Sequence, residues 1–144
     1  MAGSIKLSVD SDLDLVALVA RAVRAICVDL LAPEDIDSLE IGLVEAINNV
    51  IKHGYRGAHG NEVAVEVSLH SDRVILEVID KAPSMKPELI TDASTDRFAF
   101  DPEDLAKVPE DGMGLALIRL SMDEVTYIPG ARENRLRLAK YFRR

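Results

Sequence analysis

The sequence predicts an α+β domain of two layers, in which a mixed, mostly antiparallel sheet is covered on one face by helices. Segments with alternating apolar and polar residues occur as neighbouring pairs, as expected of antiparallel hairpins. The longer segments between them carry apolar residues three or four positions apart, which indicates helices that pack on the sheet. Residues 1–144 show no repeats and no low-complexity tract, and this length fits one domain.

The predicted order begins with a strand and two helices. SIKLSVD (4–10) alternates apolar and polar residues, and the acidic and hydroxyl residues at 10–12 favour a helix start. Apolar residues at helical spacing then extend over 13–31. A second helix is predicted from about residue 33, where proline suits a first helical position, to residue 53, and Gly54 ends it.

Two hairpins and one more helix complete the order. EVAVEVSLH (62–70) and RVILEVID (73–80) form a predicted antiparallel hairpin. Residues 81–111 carry four prolines and no strong periodicity, which is typical of a functional or mobile segment. A helix is predicted within 111–125 and a final hairpin within 125–142.

Composition excludes several classes of function. The formal net charge of −8 argues against a nucleic-acid surface and against a polybasic membrane anchor, so protein partners or small ligands are expected. No apolar run reaches the roughly 20 residues of a membrane span, and no secretory leader is recognised. Cys27 is the single cysteine and lies among apolar neighbours, which fits core packing in a reducing cytoplasm.

The predicted second helix carries a polar pair on one side. Glu45 and Asn49 are four residues apart and therefore stack on the same face. The opposite face is apolar and must meet the sheet; its members are Ile36, Leu39, Leu43, Ala46, Ile47 and Val50. Two explanations stay open for the polar pair: an ordinary solvated helix surface, or a metal ligand and a base beside a bound molecule.

Two further features have both a structural and a functional explanation. Asp80 ends a buried strand before a proline-containing loop, so it is either a turn residue or part of a site. Gly112 and Gly114 stand where a helix is predicted to begin, where open N–H groups and the positive end of the helix dipole favour phosphate. A tight turn explains the glycines equally well, and no Walker or Rossmann motif is present.

Taken together, these features resemble the nucleotide-binding boxes of the GHKL ATPases, the class of gyrase, heat-shock chaperones, histidine kinases and MutL. EAINNVIKHG (45–54) resembles the N box, DKAP (80–83) the Asp-x-Gly-x box, and GMGL (112–115) the second glycine box, in the same order along the chain. The resemblance implies the Bergerat-type ATP-binding fold, with ATP and Mg²⁺ as ligands.

A narrower resemblance covers nearly the whole chain. The E-A-x-x-N-x-x-x-H-G form of the N box, and GLALIRLSMDEVTY (114–127) followed by N-x-L-x-L (134–138), resemble the anti-sigma-factor serine kinases. This implies an ATP-dependent anti-sigma factor that is also a protein serine/threonine kinase, phosphorylating an antagonist protein in a bacterial partner-switching system. Its implied partners are a sigma factor and that antagonist, and it would form a homodimer through its N-terminal strand and helix edge.

The resemblance also implies roles for individual residues. Glu45 would be the general base, Asn49 the magnesium ligand and Asp80 the acceptor for the adenine amino group. Residues of about 88–111 would form a lid over ATP. The other implied ATP-binding residues are Ala82, Gly112, Met113, Gly114 and Leu115.

The chain departs from the family pattern in two places. Ala82 stands where the family has a glycine, and its Cβ, together with a penalty if φ must be positive, is expected to weaken ATP binding. The implied lid carries only Arg97 and Lys107 as basic residues after Lys86, so no phosphate-contacting cation is assigned from the sequence.

Two alternatives to the kinase remain open. Ala82 favours a module of the same fold that sequesters a partner stoichiometrically without phosphoryl transfer. The other is a switch kinase that acts on a scaffold and activates a phosphatase, without contact to a sigma factor.

Overall fold

The computed structural model describes residues 3–86, 88–91 and 110–142. The predicted order of elements is confirmed, with one additional short helix. The elements are β1 (Gly3–Asp10), α1 (Val16–Cys27), α2 (Pro33–Asn49), β2 (Glu62–Leu69), β3 (Arg73–Asp80), α3 (Glu88–Thr91), α4 (Glu110–Ser121), β4 (Glu124–Ile128) and β5 (Asn134–Tyr141). Most of the implied lid, including Arg97 and Lys107, lies outside the described residues.

The sheet has five strands in the order β1-β2-β3-β5-β4. The two-layer α+β prediction is confirmed, and all four neighbouring pairs are antiparallel, so the described sheet has no parallel part. β3 and β5 pair directly although a long segment separates them in sequence. Their register sets Asp80 opposite Asn134, which brings two polar residues together at one end of the sheet.

The core lies between one face of the sheet and the helices. Alternate residues of β2, β3 and β5 are buried against the apolar faces of α1, α2 and α4, as the predicted alternation requires. α2 packs between α1 and α4. Gly42 allows a close approach to α4, because a Cβ atom there would lie 3.0 Å from the Sδ atom of Met122.

The first helix is shorter than predicted. Asp12 accepts a hydrogen bond from the backbone N–H of Asp14 and caps a 3₁₀ turn, and α1 follows. α1 ends at Cys27 rather than at residue 31, because the N–H groups of Leu30 and Leu31 both turn back to the carbonyl of Cys27. Leu31 nevertheless stays in the core.

The end of α2 is widened. After Asn49 the helical path continues as one π-helical turn, Val50–Gly54, which the backbone N–H of Tyr55 closes on the carbonyl of Val50 at 2.8 Å. Gly54 is therefore the last helical residue and Tyr55 the C-cap, so the helical path ends one residue later than predicted. Such turns occur most often at functional sites, where they shift side chains that a regular helix would place elsewhere.

α4 begins earlier than the glycine pattern predicts. It starts at Glu110, so Gly112 lies in its first turn and Gly114 one residue beyond that turn. The N–H of Gly112 therefore still has no acceptor within the helix, whereas that of Gly114 can pair with Glu110. No described helix is both long enough and apolar enough to cross a membrane.

Candidate functional site

A cavity of about 460 Å³ opens between the end of α2 and the ends of β3, β4 and β5. We call it the inner cavity. Its apolar wall comes from several elements, and its polar groups lie both at the sheet end and at the end of α2. The lining residues are Ala46, Asn49, Val50, His53, Gly54, Arg56, Asp80, Ala82, Pro83, Ser84, Met85, Leu89, Leu115, Tyr127 and Leu136.

Asp80 is the acidic residue of this cavity. It is only 7% exposed, and its Oδ1 accepts hydrogen bonds from the Nδ2 of Asn134 at 3.0 Å and from the backbone N–H of Ala82 at 2.9 Å. Within the described chain, no hydrogen bond reaches Oδ2. Burial raises the pKa of Asp80, and the two hydrogen bonds oppose part of that rise. One carboxylate oxygen is thus fixed and the other is available to a ligand.

The loop after β3, residues 81–86, forms one wall of the inner cavity. Two tyrosines hold it: the hydroxyl of Tyr55 accepts from the N–H of Lys81 at 2.8 Å, and the hydroxyl of Tyr127 accepts from the N–H of Met85 at 3.1 Å. Between these anchors, the carbonyl of Ala82 accepts from the Nδ2 of Asn134 at 2.8 Å. The wall is therefore held by side chains from three other segments.

Ala82 fits this wall without backbone strain. Arg56 is the only described residue other than glycine with a positive φ, so Ala82 does not occupy the left-handed region that would favour glycine. Its methyl group lies against Gly54, since a Cβ atom on Gly54 would come within 3.0 Å of it. The backbone penalty expected for alanine at this position is therefore absent. The Cβ of Ala82 is accommodated because the residue that it contacts, Gly54, has no side chain.

A second cavity of about 400 Å³, the outer cavity, adjoins the first and shares Asn49 and His53 with it. It lies between α2 and the first turns of α4. It is more polar than the inner cavity. The residues that line it are Glu45, Asn48, Asn49, Lys52, His53, Met113, Gly114 and Leu117.

The glycine pattern and the polar face of α2 meet in the outer cavity. A Cβ atom on Gly114 would lie 3.1 Å from Oε2 of Glu45, so the absence of a side chain leaves room for that carboxylate. Met113 lines the outer cavity and Leu115 the inner one. Residues of the three separate sequence features thus converge: Glu45 and Asn49 on α2, residues 113–115 on α4, and Asp80 at the end of β3.

The polar side chains of the outer cavity have no partners among the described residues. Glu45, Asn49, Lys52 and His53 form neither a hydrogen bond nor a salt bridge within that part of the chain, although Glu45 and Asn49 are half-buried. Lys52 and His53 are exposed, so all four side chains are open to solvent and free to bond a ligand in this cavity.

Three residues that line these cavities and one residue behind them had no role assigned from the sequence. Lys52 and Arg56 are basic residues at the end of α2, not in the implied lid, and the spacing of Lys52 from Asn49 placed it close enough to be found. Tyr127 on β4 lines the inner cavity, and Asn134 on β5 lies behind it, bonded to Asp80. Both residues fall in segments that resemble the family, but only the register of the strands brings them to these positions.

Comparison with known proteins identifies the family. Residues 9–140 match the family described as Histidine kinase-like ATPase domain. A relative from Bacillus cereus strain Q1, named Serine-protein kinase RsbW, is 28% identical over 126 residues, which cover 84% of this chain and 74% of the relative. A protein of the same name from strain AH187 is 33% identical over 98 residues, 65% of this chain and 57% of the relative. The chain is therefore similar to proteins named serine-protein kinases, and it belongs to the histidine kinase-like ATPase domain family.

Proposed function

We propose that this protein is an ATP-dependent protein serine/threonine kinase that also acts as an anti-sigma factor. One observation carries the proposal: Glu45 and Asn49, which have no partners among the described residues, line a polar cavity that adjoins a more apolar cavity ending at the carboxylate of Asp80. This is the arrangement that a nucleotide needs, with a place for its base at one end and for its phosphates at the other. The similar serine-protein kinases support the same conclusion.

The inner cavity fits an adenine base. Its volume and apolar wall suit a flat ring, and Asp80 offers an acceptor for the amino group of adenine. Because Asp80 already has its Oδ1 fixed by two donors, little reorganisation accompanies binding. Leu115 and Ala82 would contact the ring system from opposite segments.

The outer cavity fits the triphosphate. Asn49 would hold Mg²⁺, which would offset the negative charge of the phosphates. No described cluster of three or more His, Cys, Asp or Glu side chains is arranged to hold a metal, so the ion would take most of its ligands from phosphate and water. Gly112 and Gly114 would lie beside the phosphates, and Lys52 would supply the cation that the sequence analysis left unassigned.

In the proposed reaction Glu45 is the general base. It accepts the proton of a serine or threonine hydroxyl as that oxygen attacks the γ-phosphorus of ATP in line. A bond forms between the hydroxyl oxygen and phosphorus, the bond from phosphorus to the β,γ-bridging oxygen breaks, and ADP leaves. The gap at Gly114 allows Glu45 to stand beside the phosphate end without a clash.

The proposed protein substrate is an antagonist that competes with a sigma factor. Phosphorylation adds about −1.5 to −2 charges, and this chain has a formal net charge of −8, so repulsion would help to release the phosphorylated antagonist. The freed kinase would then bind the sigma factor, which places its action in the cytoplasm. We further propose a homodimer formed through β1, which is an edge strand with Ile5 42% exposed.

Phosphoryl transfer tests the proposal. The purified protein is incubated with Mg²⁺, ATP labelled on the γ-phosphate and a candidate antagonist, and labelled serine or threonine in the antagonist is the expected result. Stoichiometric binding of a partner without labelling would support the sequestering module instead. Labelled transfer to a phosphatase-regulating scaffold, with no sigma factor captured, would support the switch kinase.

The oligomeric state is measured separately. Sedimentation of the wild-type protein is expected to give the mass of a dimer, and Ile5→Lys, which places a charge on the β1 edge, is expected to give a monomer. A wild-type protein that sediments as a monomer at all concentrations would overturn the dimer and leave the kinase proposal standing.

A further inference from the structure

Asn134 is the most completely bonded polar side chain near the inner cavity. It lies at the first position of β5 and is 1% exposed. Its Nδ2 donates to Oδ1 of Asp80 at 3.0 Å and to the carbonyl of Ala82 at 2.8 Å. Its Oδ1 accepts from the hydroxyl of Ser84 at 2.7 Å and from the N–H of Gly130 at 3.4 Å. Both N–H donors and both acceptor positions of the amide are therefore in use.

The partners of Asn134 determine which way its amide faces. An ionised carboxylate and a backbone carbonyl only accept hydrogen bonds, so the NH₂ group must face Asp80 and Ala82. No charged side chain and no hydroxyl of similar size supplies two donors and two acceptors in this arrangement. The residue thus joins three segments, the end of β3, the loop at 82–84 and the β4–β5 turn, through one planar group.

We propose that Asn134 is a positioning residue that sets the selectivity of the inner cavity for adenine, by holding Oδ1 of Asp80 so that Oδ2 stays available to an amino group of the base. The inference rests on the proposed function, because it assumes that Asp80 meets the base. It assigns the selectivity to a pair of residues 54 positions apart in sequence rather than to Asp80 alone.

The physical reason lies in the rotation of the carboxylate. A carboxylate with one oxygen held by two donors has one orientation, and only a base with an N–H at the facing position completes its bonding. If the base has a carbonyl at that position, its oxygen and Oδ2 of Asp80 are two acceptors that repel each other, and a fixed carboxylate cannot turn away. Without Asn134, Asp80 can rotate and the loop at 82–84 loses its anchor, so the base with a carbonyl is no longer excluded.

ATP and ITP make the test direct, because inosine carries a carbonyl where adenine carries the amino group. The affinity of each for the wild-type protein and for Asn134→Leu is measured by titration calorimetry with Mg²⁺ present. We expect the wild-type protein to prefer ATP by about 10- to 100-fold. We expect Asn134→Leu to lose most of this preference, with ATP weakened about tenfold and ITP changed less than about twofold.

The ratio of ATP affinity to ITP affinity distinguishes a positioning role from a general loss of stability. Leu138→Val is the matched control: it also destabilises a fully buried position of β5, away from Asp80, and is expected to keep the wild-type ATP to ITP ratio. Asn134→Thr keeps one donor in a residue suited to a strand and is expected to retain part of the preference. If Asn134→Leu does not fold, Ser84→Ala, which removes one bond to Asn134 from the exposed loop, is expected to reduce the ratio about threefold.

The outcomes distinguish this inference from the proposed function. A wild-type ratio that persists in Asn134→Leu, or in Ser84→Ala and Asn134→Thr together if the first variant is unfolded, overturns the role of Asn134 alone. Equal weakening of ATP and ITP in Asn134→Leu also overturns it, because that is the result of a merely structural residue. A wild-type protein that binds neither nucleotide overturns the proposed function, and this inference with it.

Discussion

The two cavities share Asn49 and His53, but they are built in different ways. Around the inner cavity, polar groups are bonded to other parts of the protein: Asp80 to Asn134 and Ala82, and the 81–86 loop to two tyrosines. Around the outer cavity, Glu45, Asn49, Lys52 and His53 have no such bonds within the described chain. One end of the site is fixed and the other end has unpaired groups.

This difference matches two different demands on the proposed kinase. Recognition of a base depends on the accurate placement of one carboxylate, which a rigid hydrogen-bond network provides. Phosphoryl transfer requires protein groups that exchange partners with phosphate, metal ion and hydroxyl during each turnover. Groups already bonded to the protein would have to give up those bonds first. We therefore expect loss of the proposed base in the outer cavity to affect transfer, loss of a phosphate contact there to affect ATP but not adenosine, and substitutions in the inner cavity to affect affinity for the base.

The largest expected effect comes from Glu45→Gln in the outer cavity. Glutamine keeps the size of the side chain but cannot accept the hydroxyl proton, so phosphoryl transfer should fall by at least about 100-fold while ATP affinity changes little. Single-turnover transfer and calorimetric binding of ATP measure the two quantities. Glu34→Gln, in the exposed first turn of α2, is the matched control and should leave both unchanged. Retained transfer in Glu45→Gln would remove the residue from the role of base.

The next largest effect is expected from Asp80→Asn, which should lower ATP affinity rather than the transfer step. Loss of a charged acceptor for the adenine amino group should weaken ATP by about 1.5–3 kcal/mol, or roughly 10- to 100-fold. Unchanged calorimetric affinity would contradict the assignment of Asp80. A weakened affinity together with an equally lowered free energy of unfolding would indicate a structural residue instead.

The stability of Asp80→Asn tests the same residue through its pKa. Burial raises the pKa of Asp80 in the folded state, so the folded protein binds this proton more tightly than the unfolded chain does. The free energy of unfolding contributed by this group therefore increases as pH falls through its folded pKa. At pH 7 the variant should therefore be as stable as the wild-type protein or more so, and this advantage should shrink as pH is lowered. Urea unfolding at pH 7 and pH 5 measures it.

The sequence predicted most of the fold and the outer cavity because their signals are local. Alternation and helical spacing identified nearly every element, and the four-residue spacing of Glu45 and Asn49 is itself a contact on a helix face. The end of α1 at Cys27 was missed because Val28 to Leu31 continue the apolar spacing while the backbone turns. The early start of α4 was missed because its first residues carry no capping pattern.

The inner cavity was only partly predictable because its contacts are distant in sequence. Asn134 meets Asp80 through the register of β3 with β5, and Tyr127 reaches the 81–86 loop from β4. Neither contact has a signature in the surrounding residues. The same applies to Ala82: its sequence position alone predicted a weakened site, whereas the structure shows that it has no positive φ and that its methyl group packs against Gly54, 28 positions earlier in the chain.

A smaller effect is expected from Lys52→Gln, which tests whether the outer cavity meets phosphate. Removing one exposed cation beside the triphosphate should weaken ATP about five- to tenfold and leave the affinity for adenosine unchanged. The loss should diminish as salt concentration rises, because exposed charges are screened. Lys6→Gln on β1 is the control, because it removes the same charge away from the site, and it should change the affinity for neither ATP nor adenosine. Equal weakening of ATP and adenosine would place Lys52 outside the phosphate contact.

The smallest effects are expected where Ala82 meets Gly54, and they decide how rigid the inner cavity is. Ala82→Gly should change ATP affinity by less than about twofold, because the residue has no positive φ and its N–H and carbonyl keep their partners. Its free energy of unfolding should fall by about 0.5–1 kcal/mol through the added freedom of the unfolded chain. A tenfold gain in ATP affinity would instead show that the methyl group had kept the base at a distance.

Gly54→Ala completes this pair of tests. Its new Cβ would lie 3.0 Å from the Cβ of Ala82, tighter than such carbons normally pack, so Ala82 must shift slightly and ATP affinity should fall about threefold. The double variant Gly54→Ala/Ala82→Gly removes that clash and should recover wild-type affinity, since neither position needs a positive φ. Additive losses in the double variant would mean that the two residues act independently and that the wall of the inner cavity adapts rather than holds its shape.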